Sequence, residues 1–278
     1  MSDSQLIISN ITKLFDALSP TYDSVGVDFF RPIAASLIYS LSPVTGESWL
    51  DIGTGRGAVI DQISGPIGSA GRILGTDIST GMIDLLREHI DAKEYSNVTV
   101  QVDNAQDPQL SIDSFDTISS SLVLFFLPDP LLALQRWIPL LLPGGRIGVT
   151  TFGFSDPRMA HVESVLQPFA TTAMKDARVS GQKGSFSSDL GMEDLLRSAG
   201  FTNVRTVRDR ISVRFISPEH WYQFSWSVGM RQMWLLVPES ELAAVRMEAE
   251  NRLKELAEAD GSITIYQEIR HTLGERPN

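Results

Sequence analysis

The sequence predicts an α/β fold: a doubly wound, mostly parallel seven-stranded sheet, with helices at the N-terminus and a helical covering insertion late in the chain. Three observations predict it. From residue 48 to residue 152 short apolar strands alternate with segments of helical period, the rhythm of successive βαβ units. The first strand runs directly into a bend with glycine at every second position, Gly53, Gly55 and Gly57. Later, two strand-like stretches, 203–215 and 262–273, bracket a mainly helical segment, 217–260.

The elements follow in order. "QLIISNITKLFDALSPTYD" spaces Ile8, Ile11, Phe15 and Leu18 along one helical face and stops at Pro20. "PIAASLIYSLSP" starts a second helix on Pro32, a favoured first-turn position, and ends near Pro43. "SWLDI" is a buried strand and "AVIDQI" a short helix; "GRILGTDI" and "TGMIDLLREHI" repeat the pair. "NVTVQV" and "FDTISSS" are the third and fourth strands, and "PLLALQRWIPLLL" is a helix. A Pro-Gly-Gly turn opens the fifth strand, "RIGVTTF". Residues 155–185 read as a helix with a polar loop, and "MEDLLRSAGF" as an amphipathic helix closed by Gly200. "NVRTVRDRISVRF" is one long strand or a pair, and "SITIYQEIRHTL" alternates as the last strand. The implied organisation is an N-terminal helical lid (1–45), a sheet core (46–216 with 261–278) and a helical insertion (217–260) covering the sheet.

Composition narrows the function. A hydrophobic content of 42% and a charged content of 21% are globular values. The net charge of -11 opposes binding to a phosphate backbone and gives no attraction to an anionic membrane. No cysteine is present, which removes disulfides, thiolate metal sites and cysteine nucleophiles. No His and carboxylate spacing matches a metal-ligand set, so no metal is expected. The start lacks a basic n-region with a long apolar run, and the densest apolar piece, "LVLFFLPDPLLAL", is too short to span a bilayer. A cytoplasmic protein without nucleic-acid or membrane partners is the expectation.

Ligands of doubly wound sheets bind beyond the carboxyl ends of the strands. Without a ligand, "GTGRG" is simply a tight βα turn. Asp77 argues for more: it ends the second strand, where an acid can accept hydrogen bonds from two ribose hydroxyls, while Ser79 and Thr80 are the better-placed helix caps. The bend reads G-x-G-x-G, not the G-x-G-x-x-G of dinucleotide sites, and Asp51 stands at its head. A carboxylate there repels pyrophosphate and suits a nucleoside with a cationic end. S-adenosylmethionine, with its α-ammonium and sulfonium, has that chemistry, and a nicotinamide-dependent oxidoreductase is disfavoured.

Taken in order, "LDIGTGRG", "GTDIST", "VDNAQD", "FDTISSSLVLFFLPDP" and "LLPGGRIGVTTF" resemble the successive motifs of class I S-adenosylmethionine-dependent methyltransferases. The resemblance is to the ubiquinone/menaquinone-biosynthesis type of small-molecule enzyme, and it covers about residues 10–152; beyond 153 only "DLLRSAGF", the strand after it and the final strand follow the family outline. It implies a Rossmann-like fold, S-adenosylmethionine as cofactor and S-adenosylhomocysteine as product. It also implies that Asp51, Gly53, Thr54, Gly55 and Gly57 line the methionine and ribose portion, that Asp77 holds the ribose, and that Ile78 and Met82 pack on adenine. Where the family has an acid followed by alanine at the adenine amino group, this chain reads Asp103, Asn104, Ala105, leaving either Asp103 or Asn104 for that contact. Ser120 and Ser121 would meet the methionine part or pack at the strand end. Tyr22, in "SPTYDSV", resembles the family's lid tyrosine; a solvent-facing loop tyrosine is the other reading.

Methyl transfer is an in-line displacement governed by alignment, and an acceptor that must lose a proton needs a base. His161 and His220 lie in segments expected to cover the site and are the candidate catalytic residues, with Tyr222 and Glu219 beside His220. His89 reads as a surface residue and His271 as structural. In "HWYQFSWSVGMRQMW", Trp221, Tyr222, Phe224, Met230, Met233 and Trp234 form an aromatic and Met-rich stripe. That stripe is a core-packing face, the wall of an apolar acceptor pocket, or a homodimer interface. The expectation is a methyltransferase acting on O, N or C of a lipophilic small molecule, in secondary metabolism. The alternative is a cyclase or pericyclase of the same fold that retains the cofactor without net methyl transfer.

Overall fold

The computed structural model describes residues 2–171, 174, 181 and 183–278. Two N-terminal helices, α1 (Asp3–Leu18) and α2 (Phe30–Leu41), precede the alternating part. That part runs β1 (Ser48–Ile52), α3 (Ile60–Ile67), β2 (Arg72–Asp77), α4 (Thr80–Ala92), β3 (Val98–Val102), β4 (Phe115–Ser121), α5 (Pro130–Trp137) and β5 (Leu141–Ser155). Then come α6 (Pro157–Glu163), α7 (Asp189–Ala199), β6 (Thr202–Phe215), α8 (Pro218–Ser227), α9 (Arg231–Trp234), α10 (Glu239–Lys254) and β7 (Ile263–Glu275).

The strands form one sheet in the order β3-β2-β1-β4-β5-β7-β6, with β1 to β5 parallel and β7 antiparallel to both neighbours. All five residues of β1 are buried, as expected for a central strand covered by helices on both faces. Alternation assigns the faces. Trp49 packs with α2 and α3, through Leu37 and Ile63 among others. Leu50 and Ile52 join the larger core with Leu134 and Trp137 of α5. β6 forms one edge and carries Arg205, Arg208, Arg210 and Arg214, charges that discourage pairing with a further strand.

Local chemistry sets the helix ends. Ser2 and Gln5 form a reciprocal capping box on α1. Ser79, Asp129, Ser188 and Ser217 each accept a backbone N–H at the starts of α4, α5, α7 and α8.

Several boundaries differ from the sequence expectation. α2 begins at Phe30, two residues before Pro32, and Phe29 and Phe30 make aromatic contacts at its start. β5 is continuous from Leu141 through the Pro-Gly-Gly segment, with an irregularity opposite Phe115 and Thr117. The 203–215 stretch is a single strand. The last strand in sequence is interior in space, inserted between β5 and β6. The helix expected within 155–185 is the short α6, and part of that stretch lies outside the described residues.

The parallel strands all end at one edge, and the other elements converge there. α6 leaves that end of β5, and α8 lies against β6. α10 packs on α8 and α6. Among the described residues, no helix is long and apolar enough to cross a membrane.

At the opposite end, Arg146 ties α2 to the sheet. Its Nη1 and Nη2 donate to Glu47 Oε1 and Oε2 at 2.6 and 2.9 Å, a forked pair. Its Nε donates to the Leu41 carbonyl at 2.8 Å, at the end of α2. Arg146→Met strands a mostly buried Glu47 and is expected to lower unfolding free energy by about 2–4 kcal/mol while leaving cofactor affinity unchanged. Urea denaturation checks this, and a loss below about 0.5 kcal/mol contradicts it.

Candidate active site

Gly53, Gly55 and Gly57 all adopt positive φ, +73°, +54° and +90°, conformations costly for a side chain. Space is also short, since a Cβ on Gly53 would collide with Val123. The bend is anchored to β2 by Gly53 and Thr54 N–H groups, both donating to the Thr76 carbonyl, at 2.7 and 2.9 Å.

Under the bend lies Asp51, 1% exposed. Its Oδ1 accepts the Ser119 hydroxyl at 2.7 Å, and Ser119 Oγ in turn accepts from Trp49 Nε1 at 2.9 Å. Its Oδ2 is buried with no hydrogen-bond partner, as are Thr54 Oγ1 and Ser120 Oγ. Burial pushes the Asp51 carboxyl up to about 6, against the lowering by the Ser119 hydroxyl and by the adjacent Thr54 hydroxyl, and reinforced by Asp77 nearby. An unpaired, desolvated carboxylate oxygen is costly, and a cationic ligand group beneath the bend relieves that cost.

Asp77 is arranged differently. Its Oδ1 accepts the Ser79 N–H and its Oδ2 the Gly55 N–H, both at 2.9 Å. A carboxylate offers about four lone-pair sites, so one on each oxygen remains, matching two adjacent ribose hydroxyls. Burial raises its pKa, offset by the Ser79 and Gly55 N–H donors.

Tyr22 lies over the bend, half-buried, with Cε1 4.0 Å from where a Gly55 Cβ would stand. Its carbonyl accepts from Arg56 Nη1 at 2.9 Å, so the lid segment and the glycine bend are joined directly. Burial raises the Tyr22 phenol, with Asp23 and Asp77 adding to it.

Of the residues expected at the adenine, Met82 is buried and Ile78 half-buried. Asp103 accepts the Asn104 N–H at 2.8 Å and the Gln109 N–H at 3.2 Å, and Asn104 Oδ1 accepts the Gln106 N–H at 3.0 Å. The Ala105 carbonyl accepts Trp137 Nε1 at 2.7 Å. The β3 loop is fixed to the β4 loop by Gln106, whose amide exchanges two hydrogen bonds with the Asp129 backbone, each 3.0 Å.

Ser120 and Ser121 separate. Ser119 faces Asp51, so alternation places Ser121 on that face and Ser120 on the other. Ser119 itself escaped the sequence reading; the signal is its register, Asp51 opposite Ser119 across β1 and β4.

An aromatic cluster lies beside Tyr22 at the strand ends. Seven rings form a closed circuit: Phe15, Tyr22, Phe30, Phe29, Phe152, Phe125, Phe126 and back to Phe15, with consecutive centroids 4.8–6.2 Å apart. These are attractive edge, tilted and stacked geometries. Phe224 of α8 joins the circuit at Phe29, 5.4 Å away. Among the residues of the Trp- and Met-rich stripe, Trp221 and Trp234 are 2% and 1% exposed and pack on each other, with Trp234 Nε1 donating to Ser225 at 2.8 Å. Core packing describes these two. Met230 and Met233 pack half-buried on the same core, and Tyr222 lies under Arg246, 4.3 Å from its ring centroid.

The histidines also divide. His220 Nδ1 accepts the Ile216 N–H at 3.2 Å, so Nε2 carries the proton and donates to the Val25 carbonyl at 2.8 Å. Both nitrogens are engaged by backbone, and His220 fastens the lid segment to the cover. His161 is exposed, and its carbonyl accepts from Arg252 at 2.8 Å. His271 is buried against Thr150 at 2.9 Å, and burial lowers its pKa to about 4. His89, expected at the surface, is partly covered and contacts Asp61 at 2.8 Å. Among the described residues, no group of three His, Cys, Asp or Glu could hold a metal ion.

The fold is of the doubly wound α/β class, with an acid-flanked glycine bend at the strand ends, and comparison gives the family. The methyltransferase-domain family profile matches residues 44–203. The chain therefore belongs to the methyltransferase-domain family, and it is an S-adenosylmethionine-dependent methyltransferase of small molecules. It is 31% identical to the nocamycin O-methyltransferase of Saccharothrix syringae over 272 residues, covering 94% of this chain and 96% of that one. It is 40% identical over 141 residues to the aklanonic acid methyltransferase DauC of Streptomyces sp. (strain C5), covering 51% of this chain and 64% of that one. The solved cyclase SpnF is 16% identical with a TM-score of 0.54, covering 89% of this chain and 80% of that one, a likeness of fold alone.

Asp51 gives a test of stability against function. Its folded pKa, about 6, stands above the ordinary 3.8, so ionisation costs stability once pH exceeds 3.8, in full above 6. Asp51→Asn is expected to stabilise the ligand-free protein by roughly 1–3 kcal/mol at pH 7, with the gain vanishing near pH 4, and to abolish cofactor binding. Thermal unfolding at the two pH values reads this, and a destabilised variant at pH 7 contradicts it.

Proposed function

We propose that this methyltransferase transfers a methyl group to an oxygen of a flat, lipophilic, polyketide-like small molecule. The observation that carries the proposal is the closed aromatic circuit at the strand ends, bordered by Phe224 of the helical insertion. Such a wall favours planar apolar surface. Nocamycin and aklanonic acid, the compounds named for the two relatives, support an acceptor from secondary metabolism. The division into lid, core and covering insertion fits this reading: the lid supplies Tyr22, Phe29 and Phe30, and the insertion supplies Phe224.

In this mechanism the bound cofactor supplies an electrophilic methyl group on a sulfonium. Asp51 pairs its free oxygen with the α-ammonium, and the glycine bend lets the backbone lie along the methionine and ribose portion. Asp77 holds the ribose. Asp103, which serves two loop N–H groups and still has acceptor lone pairs, would accept the adenine amino group, and Asn104 Nδ2 would donate to a ring nitrogen. Tyr22 closes over the site, and Thr54 and Ser121 border the methionine portion. The rings would hold a flat acceptor with its oxygen nucleophile facing the cofactor site, a contribution of alignment.

His220 is assigned to holding the lid through Val25, and His161 to the exposed face of α6. Neither is placed here as the base. The protein is further proposed to act in the cytoplasm, without nucleic-acid or membrane partners, as a monomer or homodimer.

Mass spectrometry tests the reaction: polycyclic polyketide acids and phenols incubated with enzyme and S-adenosylmethionine should gain the mass of one methylene. Rearranged product without that gain, with the cofactor bound, supports the cyclase alternative. Phe152→Ala is expected to raise the acceptor KM about tenfold or more, through about 1.5–3 kcal/mol of lost apolar contact, with cofactor affinity unchanged. His220→Gln should retain a substantial part of kcat, and a loss of more than about a thousandfold, with the lid still ordered, would restore it as general base.

A further inference from the structure

We propose that Asp16, on the N-terminal helix α1, is a positioning residue for the Asp77 carboxylate, so that cofactor affinity depends on docking of that helix. The proposal rests on the reading of Asp77 as the ribose-binding acid.

The connection is a continuous run of hydrogen bonds. Ser79 is fully buried, and its hydroxyl donates to Asp16 Oδ1 at 2.6 Å, the short distance of a charge-assisted bond. The same hydroxyl accepts the Met82 N–H at 3.1 Å. The Ser79 N–H donates to Asp77 Oδ1 at 2.9 Å. Asp16 Oδ1 also accepts the Gly81 N–H at 3.3 Å. One carboxylate from α1 thus completes the cap of α4 and fixes the residue whose N–H orients the ribose acid.

Two further features belong to the same contact. A Cβ on Gly81 would collide with Ser19 Oγ, so the bare glycine is what lets the end of α1 approach α4. Ser19 Oγ in turn donates to the Asp16 carbonyl at 3.0 Å. The second donor to Asp77 is the Gly55 N–H. Gly55 is covered by Tyr22, whose carbonyl holds Arg56. Both backbone donors that set Asp77 therefore belong to residues held by the same N-terminal segment, from independent directions.

Asp16 and Asp77 repel each other as charges, so a favourable effect of Asp16 on the site is geometric: it fixes Ser79. This separates the proposal from simple helix capping. A cap alone alters stability, whereas a positioning residue alters affinity through Asp77 and nowhere else.

Calorimetric titration of the full chain with S-adenosylhomocysteine tests it, using Asp16→Leu, Asp16→Asn, Asp77→Asn and the double variant Asp16→Leu/Asp77→Asn. Asp16→Leu should weaken binding about three- to tenfold. Asp16→Asn keeps an acceptor oxygen for Ser79 and should stay within about twofold. The Leu penalty should disappear when Asp77 is already Asn. A lower melting temperature with unchanged affinity, or an equal penalty in both backgrounds, overturns the proposal. Unchanged affinity in Asp77→Asn alone removes the ribose reading and the proposal with it, whereas weakened binding there with none in Asp16→Leu removes only the proposal. If Asp16→Leu does not fold, Ser79→Ala breaks the same link while keeping the Ser79 N–H, and the same outcomes decide.

Discussion

A carboxylate buried with one oxygen unmatched is the constraint on which the site depends. Asp51 can be held there because β1 and β4 lie side by side in parallel register, which sets Ser119 opposite it. The sheet must then continue on both sides and be covered on both faces to exclude water from it. On the proposed reading of Asp51, the cost of the lone oxygen is carried by the folded protein and recovered when the cofactor's ammonium binds, a common relation between binding sites and stability. On the same reading a carboxylate beside the bend disfavours pyrophosphate, separating it from dinucleotide-binding turns of similar glycine content.

Two acids near one bend serve different ends because their surroundings differ. Asp51 accepts the Ser119 hydroxyl, lies beside the Thr54 hydroxyl, and has its Oδ2 buried without a hydrogen-bond partner. Asp77 has two backbone donors, leaving its outward lone pairs directed and its position fixed. The N-terminal segment links polar and aromatic halves of the site. Through Asp16 and Arg56 it joins the cofactor motifs, and through Phe15, Tyr22, Phe29 and Phe30 it closes the aromatic circuit. His220 adds a third fastening, from the covering insertion to Val25.

Much of this was legible in the sequence where the physics is local. Alternation and helical period marked the strands and helices, and the glycine bend with Asp51 and Asp77 marked the region where the cofactor is proposed to bind. What was not legible depends on lateral partners. Ser119 is meaningful only once the β1–β4 register is known. Phe15, Phe29, Phe125 and Phe152 are scattered along the chain and become one wall only through the crossover topology. The crowded stripe at Trp221 and Trp234 left core packing, a pocket wall and a dimer interface open, because sequence spacing cannot tell a buried face from a lining one; both indoles are buried in the core. β7 follows the same lesson: alternation revealed a strand, while its place between β5 and β6 is set by pairing.

The most direct measurement of the central claim is the affinity for S-adenosylmethionine as a function of pH, by calorimetry. Asp51 must be ionised to hold the ammonium, and its carboxyl titrates at about 6 in the free protein. The account predicts that affinity rises about tenfold from pH 5 to pH 7 and levels off above it, and that an analogue lacking the α-amino group shows no such rise. Affinity independent of pH over that range, or an equal rise for the deaminated analogue, would contradict the account.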